Sequence, residues 1–201
     1  MDILSHRGWW NTPDEKNTMP AFRRALEAGL GIELDIRDLD GKIVISHDLP
    51  GMTDNPIHFA DFLSVWRKYE RPKLAVNIKS DGLSESLSQL FEGEDHGHYF
   101  FFDMSIPETV QYIRRGLATA GRLSEFEREP LDAKEIWLDA FESDWWLEGD
   151  LSSYFESKIY VVSPDLHKRP YATAWNHVKE SGVFAGICTD HVEEAIRFFN
   201  E

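Results

Sequence analysis

The chain has 201 residues, which suffice for one well-packed core but not for two domains of ordinary size, so we predict one domain over residues 1–201. Its formal net charge of −15 repels nucleic acids and anionic membranes, which excludes large polyanions as partners and leaves small phosphorylated molecules. The only cysteine, Cys188, cannot form an intrachain disulfide, and the first residues lack a basic signal segment, so we expect a cytoplasmic protein without stable membrane association.

Short apolar runs alternate with helical patterns along most of the chain. The predicted strands cover residues 3–4, 31–36, 74–78, 99–102, 117–121, 136–138, 159–162 and 185–188. The predicted helices cover residues 18–28, 58–69, 83–91, 106–115, 170–180 and 192–200. Eight strands with helices between them predict an α/β fold, a compact (β/α)8 TIM barrel with irregular segments between strands 5 and 7. A doubly wound open sheet is the alternative.

The second predicted strand carries two carboxylates on one face. Side chains alternate along a strand, so Glu33 and Asp35 lie together, opposite the apolar residues of the same strand. Their mutual repulsion and burial are costly unless a cation relieves them, either a divalent metal or an Arg or Lys of a neighbouring strand. The strand continues through an Asp40-Gly41 hairpin into residues 42–46, which lead to His47.

Polar side chains also end the other early strands. The pair His6-Arg7 follows the first strand, and Asn77 and Lys79 share the face opposite the apolar residues of the third. Asp103 follows the fourth strand in phase with Phe101 and is a weaker candidate, because salt bridges explain most such residues. Imidazoles transfer protons near neutral pH, and Arg and Lys neutralise phosphoryl oxygens. Barrel enzymes place such groups at the carboxyl ends of their strands.

The order and spacing of these residues resemble the glycerophosphodiester phosphodiesterase family, which is similar to the phosphatidylinositol-specific phospholipases C. The resemblance is dense over the first quarter of the chain and thin beyond it. It rests on His6-Arg7-Gly8, Asn17-Thr18, Ala21-Phe22, Ala25, Gly29, Glu33-Leu34-Asp35, Asp40-Gly41, His47-Asp48, Asn77-Ile78-Lys79 and Gly186-Ile187-Cys188-Thr189-Asp190. It implies a (β/α)8 barrel that hydrolyses a small phosphodiester of lipid metabolism with a divalent cation, Mg²⁺ or Ca²⁺.

The resemblance also implies a role for each site residue. These are the general base or nucleophile His6, the general acid His47, the metal ligands Glu33, Asp35 and Asn77, and the phosphate-facing Arg7 and Lys79. Two features depart from the family. The family has a carboxylate where this chain has Asn77, whose neutral amide holds a cation less tightly. The family also carries a sizeable insertion after its His-Asp pair, whereas residues 47–58 form a short loop here.

Two further functions are compatible with the sequence. One is a non-catalytic protein that binds a phosphorylated ligand on the same barrel, which the Asn77 departure and the short loop favour. The other is a metal-independent lyase that releases a cyclic phosphate, as in the phospholipase C relatives. The alcohols of the substrate, the choice between hydrolysis and cyclisation, the identity of the cation and the oligomeric state are left open.

Overall fold

The computed structural model describes residues 1–51, 54–131, 134–154 and 156–200. Its strands are β1 (Asp2–His6), β2 (Gly31–Leu39), β3 (Lys42–Ile45), β4 (Leu74–Ile78), β5 (Tyr99–Phe102), β6 (Ala120–Leu123), β7 (Glu135–Leu138), β8 (Lys158–Val162) and β9 (Phe184–Thr189). Its α-helices are α1 (Met19–Glu27), α2 (Phe59–Trp66), α3 (Ser84–Leu90), α4 (Ile106–Arg114), α5 (Ala172–Ser181) and α6 (Val192–Asn200). None of the helices in these ranges combines the length and apolar character that a bilayer crossing requires.

The strand order is that of a (β/α)8 barrel. Eight strands follow one another as β5-β4-β2-β1-β9-β8-β7-β6, and β3 pairs antiparallel with β2 beside this path. A parallel bridge joins Phe101 of β5 to Thr119, the residue immediately before β6. A doubly wound sheet would instead reverse its strand order at a central switch point. The predicted fold class is therefore confirmed.

The structure moves some predicted boundaries and confirms the irregular region. β2 runs three residues further than predicted, because the hairpin partner β3 pairs with its end. β6 begins at Ala120 rather than at residue 117. Between β6 and β8 the described residues form the strand β7, two 3₁₀ turns (Trp145–Leu147 and Ser152–Tyr154) and no α-helix, so the irregular connections are confirmed there. Residues 132, 133 and 155 of these predicted links lie outside the described ranges.

Contacts divide the chain into two compact units, Ser5–Thr119 and Met1–Leu4 together with Ala120–Glu201. In the first unit, the apolar faces of β2, β4 and β5 pack against α1 to α4 in one buried cluster. For example, α1 buries Phe22 and Leu26, begins with a proline in its first turn and is followed by Gly29 at φ +70°. This packing fixes the strands whose polar face carries the candidate site, and the prediction of one domain stays a prediction.

Candidate active site

The site is built on the polar face of β2, within the unit Ser5–Thr119. Glu33 and Asp35 are 2% and 1% exposed, while the apolar side chains between and beside them pack against the helices. In the parallel pair of β2 and β4, Asp35 lies opposite Asn77. Strand alternation therefore buries two carboxylates side by side, an arrangement that requires positive charge or hydrogen-bond donors nearby.

Asp35 receives that positive charge from two neighbouring segments. The Nε of Arg7 lies 3.0 Å from its Oδ2, and the Nζ of Lys79 lies 3.3 Å from its Oδ1. The side-chain amide of Asn17 donates a hydrogen bond to Oδ2 at 2.9 Å. Arg7 and Asn17 both have left-handed backbones, with φ of +59° and +58°. Both ends of the loop between β1 and α1 thus contribute a left-handed residue whose side chain reaches this one carboxylate.

Glu33 has weaker contacts with positive charge. Its Oε2 lies 3.9 Å from the Nε2 of His6 and accepts a hydrogen bond from the backbone N–H of Arg7 at 3.3 Å. Burial raises the pKa of the Glu33 carboxyl well above its usual range, and the charge of Asp35 raises it further, although Arg7 and Lys79 act in the opposite direction. Glu33 is therefore a group whose ionisation calls for additional positive charge.

His47 lies at the edge of this cluster. Its ring is 43% exposed, and its Nδ1 lies 2.8 Å from the Oδ1 of Asp48. That hydrogen bond is the largest of the effects that lower the pKa of Asp48, and the charge of Arg7 contributes to them. The link from His47 to the other residues runs through Arg37, whose Nε donates to the carbonyl of His47 and whose Nη1 donates to that of Lys79, both at 3.0 Å.

Asn77 has one satisfied and one unsatisfied end. Its Nδ2 donates to the Oδ2 of Asp103 at 3.0 Å, whereas its Oδ1 is buried and accepts no hydrogen bond from the described residues. Asp103 reaches Asn77 against the predicted strand parity, which places it in phase with Phe101 in the apolar cluster. Its left-handed backbone, with φ of +68°, redirects the side chain at the end of β5.

The structure thus places six of the seven predicted site residues on or next to the polar face of β2. Five of them, His6, Arg7, Glu33, Asp35 and Lys79, are joined through the acidic pair, and Asn77 lies beside Asp35. His47 is linked to Lys79 of this set by Arg37, whose side chain donates hydrogen bonds to the backbone carbonyls of both residues.

The oxygen donors of the site are suited to a hard divalent cation. Within the described ranges, no three side chains of the His, Cys, Asp and Glu type are grouped closely enough to hold a metal. On the neighbouring strands β2 and β4, the candidate ligands are two buried carboxylates and the amide oxygen of Asn77, which accepts no hydrogen bond from the described residues. Carboxylate and amide oxygens are ligands for Mg²⁺ and Ca²⁺. Because the amide oxygen of Asn77 is buried and accepts no hydrogen bond from the described residues, these three ligands fit such an ion.

Two contacting residues were not recognised as site residues from the sequence. From the sequence, Asn17 contributes only to the family resemblance, whereas in the structure it precedes the cap residue Thr18 of α1 and donates its amide to Asp35. Arg37 shares the strand face of Glu33 and Asp35, and this alternation could have identified it. The left-handed backbone of Asn17 has no comparable signal in the sequence.

Comparison with known proteins gives matches to solved structures alone. No protein-family model matches the chain, and no curated protein sequence matches it. A glycerophosphodiester phosphodiesterase from Parabacteroides distasonis is 18% identical with a TM-score of 0.70, covering 99% of this chain and 96% of its own. One from Agrobacterium tumefaciens is 16% identical with a TM-score of 0.73 and complete coverage of both chains. A Ca²⁺-dependent phosphatidylinositol-specific phospholipase C from Streptomyces antibioticus is 13% identical with a TM-score of 0.62, covering 98% and 95%.

These matches span the whole chain at low identity, and what they share with it is the fold. They are also the two groups of proteins that the strand-end residues resemble. The predicted resemblance is therefore confirmed at the level of architecture: this chain has the barrel fold of the glycerophosphodiester phosphodiesterases and of a phosphatidylinositol-specific phospholipase C.

Proposed function

We propose that this protein is a metal-dependent phosphodiesterase that hydrolyses a small phosphodiester by acid–base catalysis with His6 and His47. The observation that carries the proposal is the buried acidic pair, which has two cationic side chains and an imidazole within 3.9 Å. The similarity in fold to enzymes named for phosphodiester cleavage supports the same reaction class.

Arg7 and Lys79 would bind the phosphoryl oxygens of the substrate. Both side chains are about four-fifths buried and keep their charged groups beside Asp35. At such a site a guanidinium donates hydrogen bonds to two phosphoryl oxygens, and an ammonium neutralises a third. His6 would accept the proton of the attacking water, because its Nε2 lies near the Glu33 carboxylate, which favours the imidazolium that forms.

His47 would protonate the leaving alkoxide. Its Nδ1 contacts Asp48, which leaves Nε2 to donate the proton to the substrate. The guanidinium of Arg37 donates hydrogen bonds to the backbone carbonyls of His47 and Lys79. These two bonds would fix the position of the general acid relative to the phosphate-binding lysine. When bound by Glu33, Asp35 and Asn77, Mg²⁺ or Ca²⁺ would stabilise the negative charge that develops on the phosphoryl group. The two imidazoles need opposite protonation states, so a bell-shaped pH–rate profile is expected.

A panel of small phosphodiesters, assayed with Mg²⁺ or Ca²⁺ and resolved by phosphorus NMR, tests the proposal. His6→Ala and His47→Ala should each lower kcat by about 10²- to 10⁴-fold, the usual contribution of a general acid or base. His96→Ala is the matched control, because His96 is exposed beside the beginning of β5 and should leave turnover unchanged. Near-wild-type turnover in both test variants would contradict the mechanism.

A metal-independent lyase is the second candidate, because the two cationic side chains beside Asp35, Arg7 and Lys79, can themselves neutralise a phosphoryl group. Such an enzyme would release a cyclic phosphate and would keep its activity in a chelator. The same NMR assay distinguishes the two reactions, because cyclic and acyclic phosphates have separate resonances. A hydrolase that stops in the chelator and never releases a cyclic product would exclude the lyase.

A further inference from the structure

The amide of Asn77 is one of two partly satisfied amides in the described part of the site, the other being that of Asn17. The side chain is 7% exposed, its nitrogen donates to Asp103, and its oxygen is buried without a donor among the described residues. A buried acceptor without a partner costs about 1–3 kcal/mol. Because the nitrogen is committed to Asp103, the amide cannot turn its oxygen toward that carboxylate, and the oxygen keeps one direction.

The strand register places Asn77 beside the acidic pair. Asn77 lies opposite Asp35 in the parallel register of β2 and β4, with its side chain on the same face as Glu33. Two carboxylates and one oriented carbonyl oxygen on adjacent strands are the ligands that a hard divalent cation takes. An oxygen that lacks a hydrogen-bond donor is well suited to such an ion.

Asp103 reaches Asn77 by departing from regular strand geometry. Strand alternation would put residue 103 on the apolar face with Phe101, which is fully buried there. Its backbone instead adopts φ of +68°, a conformation that is unfavourable for a residue with a side chain, although Asp tolerates it better than most. Strained backbone conformations cluster at functional sites, and here the conformation is accompanied by the hydrogen bond from Asn77.

We infer that Asp103 is a positioning residue of the proposed cation site. Asp103 holds the Asn77 amide so that the amide oxygen faces the ion, and its carboxylate supplies a third negative charge from the end of β5. A hydrogen bond to a carboxylate polarises the amide and makes its oxygen a stronger ligand. Residues that orient a metal ligand typically contribute 10–100-fold to metal affinity. This inference rests on the cation binding in the proposed function.

Isothermal titration of the purified full chain with Mg²⁺ and with Ca²⁺ tests the inference without an activity assay. Asp103→Gly keeps the left-handed backbone and removes the acceptor, so it should raise the Kd by about 10–100-fold. Asp103→Asn keeps a neutral acceptor and should give an intermediate Kd. The melting temperature without cation checks that the variant is folded, because the relief of backbone strain in Asp103→Gly opposes the loss of an acceptor for the Asn77 amide.

A reciprocal exchange provides the control for a purely structural role. Asn77→Asp alone brings two carboxylates to within about 3 Å of each other and should lower stability. Asn77→Asp combined with Asp103→Asn reverses donor and acceptor and places the third carboxylate on β4. This double variant should bind the cation with wild-type affinity or better.

Three results would overturn the inference: an unchanged Kd in Asp103→Gly, an exchanged pair that binds no better than Asp103→Gly, or a wild-type protein that binds neither cation. A wild-type protein that binds the cation but cleaves no diester would contradict the proposed hydrolase and leave the role of Asp103 standing.

Discussion

At the scale of single residues, the site depends on how two neighbouring carboxylates tolerate burial. Asp35 is compensated by direct contacts with Arg7, Lys79 and the amide of Asn17, whereas Glu33 has a more distant imidazole and a long hydrogen bond from a backbone N–H. The two acids therefore share a strand face but not an environment. This asymmetry explains why the pKa of Glu33 is raised by burial and by the charge of Asp35.

The raised pKa of Glu33 predicts a pH dependence of stability. Above the ordinary carboxyl range the unfolded chain releases the Glu33 proton while the folded protein retains it. The free energy of unfolding without cation should therefore fall as the pH rises from that range to the raised pKa. Glu33→Gln removes this contribution, so the free energy of unfolding of the variant should increase relative to that of the wild type as the pH rises over the same interval. Urea unfolding at a series of pH values measures the difference.

A divalent cation should reverse the effect of Glu33, because the ion binds the ionised carboxylate and displaces the proton. Stabilisation by Ca²⁺ or Mg²⁺ should thus grow with pH in the wild type and be much smaller in Glu33→Gln. If stabilisation by the cation increases with pH to the same extent in the wild type and in Glu33→Gln, Glu33 is not the group that the cation binds.

At the scale of elements, β2 contributes more than two carboxylates. Strand alternation also brings Arg37 onto the polar face, where its guanidinium bridges the carbonyls that follow β3 and end β4. Hydrogen bonds from charged donors contribute about 1.5–3 kcal/mol each. One strand therefore carries the acidic pair and also holds the two segments that bear His47 and Lys79.

Replacing Arg37 tests this bridging role. Arg37→Met retains length but loses both hydrogen bonds, so kcat for the best diester should fall by about tenfold to a hundredfold through misplacement of His47 and Lys79. Arg37→Lys should recover part of the loss. Arg23→Met is the matched control, since Arg23 is exposed on α1 and should leave kcat unchanged. Equal kcat values in Arg37→Met and the wild type would contradict the bridging role.

At the scale of the whole molecule, charge is the dominant property. Asp and Glu number 36 against 21 Lys and Arg, and such an imbalance destabilises the compact state through self-repulsion. The cations of the site are thus set in an acidic protein, where their positions matter more than their number.

Salt should stabilise this molecule. Raising NaCl from about 10 mM to about 150 mM shortens the Debye length from about 30 Å to about 8 Å, so the melting temperature at neutral pH should increase. Near the isoelectric point the increase should vanish, which separates screening of net charge from other salt effects. MgCl₂ at matched ionic strength should add a further, saturable increase if the proposed cation site binds. A melting temperature that falls with NaCl at neutral pH would contradict the expected self-repulsion.

The sequence by itself determined the features that follow from local periodicity. The alternation of strands and helices predicted the barrel topology, and the period of two along β2 and β4 placed Glu33, Asp35 and Asn77 on one face. The Asp40-Gly41 turn was also readable, because both residues adopt the positive φ that a two-residue hairpin favours. Such features depend on neighbours within a few residues and leave a pattern.

Only the tertiary structure decided which partner each polar group has. The hydrogen bonds from Asn77 to Asp103, from Asn17 to Asp35 and from Arg37 to two backbone carbonyls join residues 10 to 42 positions apart. Two of these contacts depend on single left-handed residues that reverse or override strand alternation. A backbone dihedral at one position follows from the packing of the surrounding elements, and no local sequence pattern encodes it.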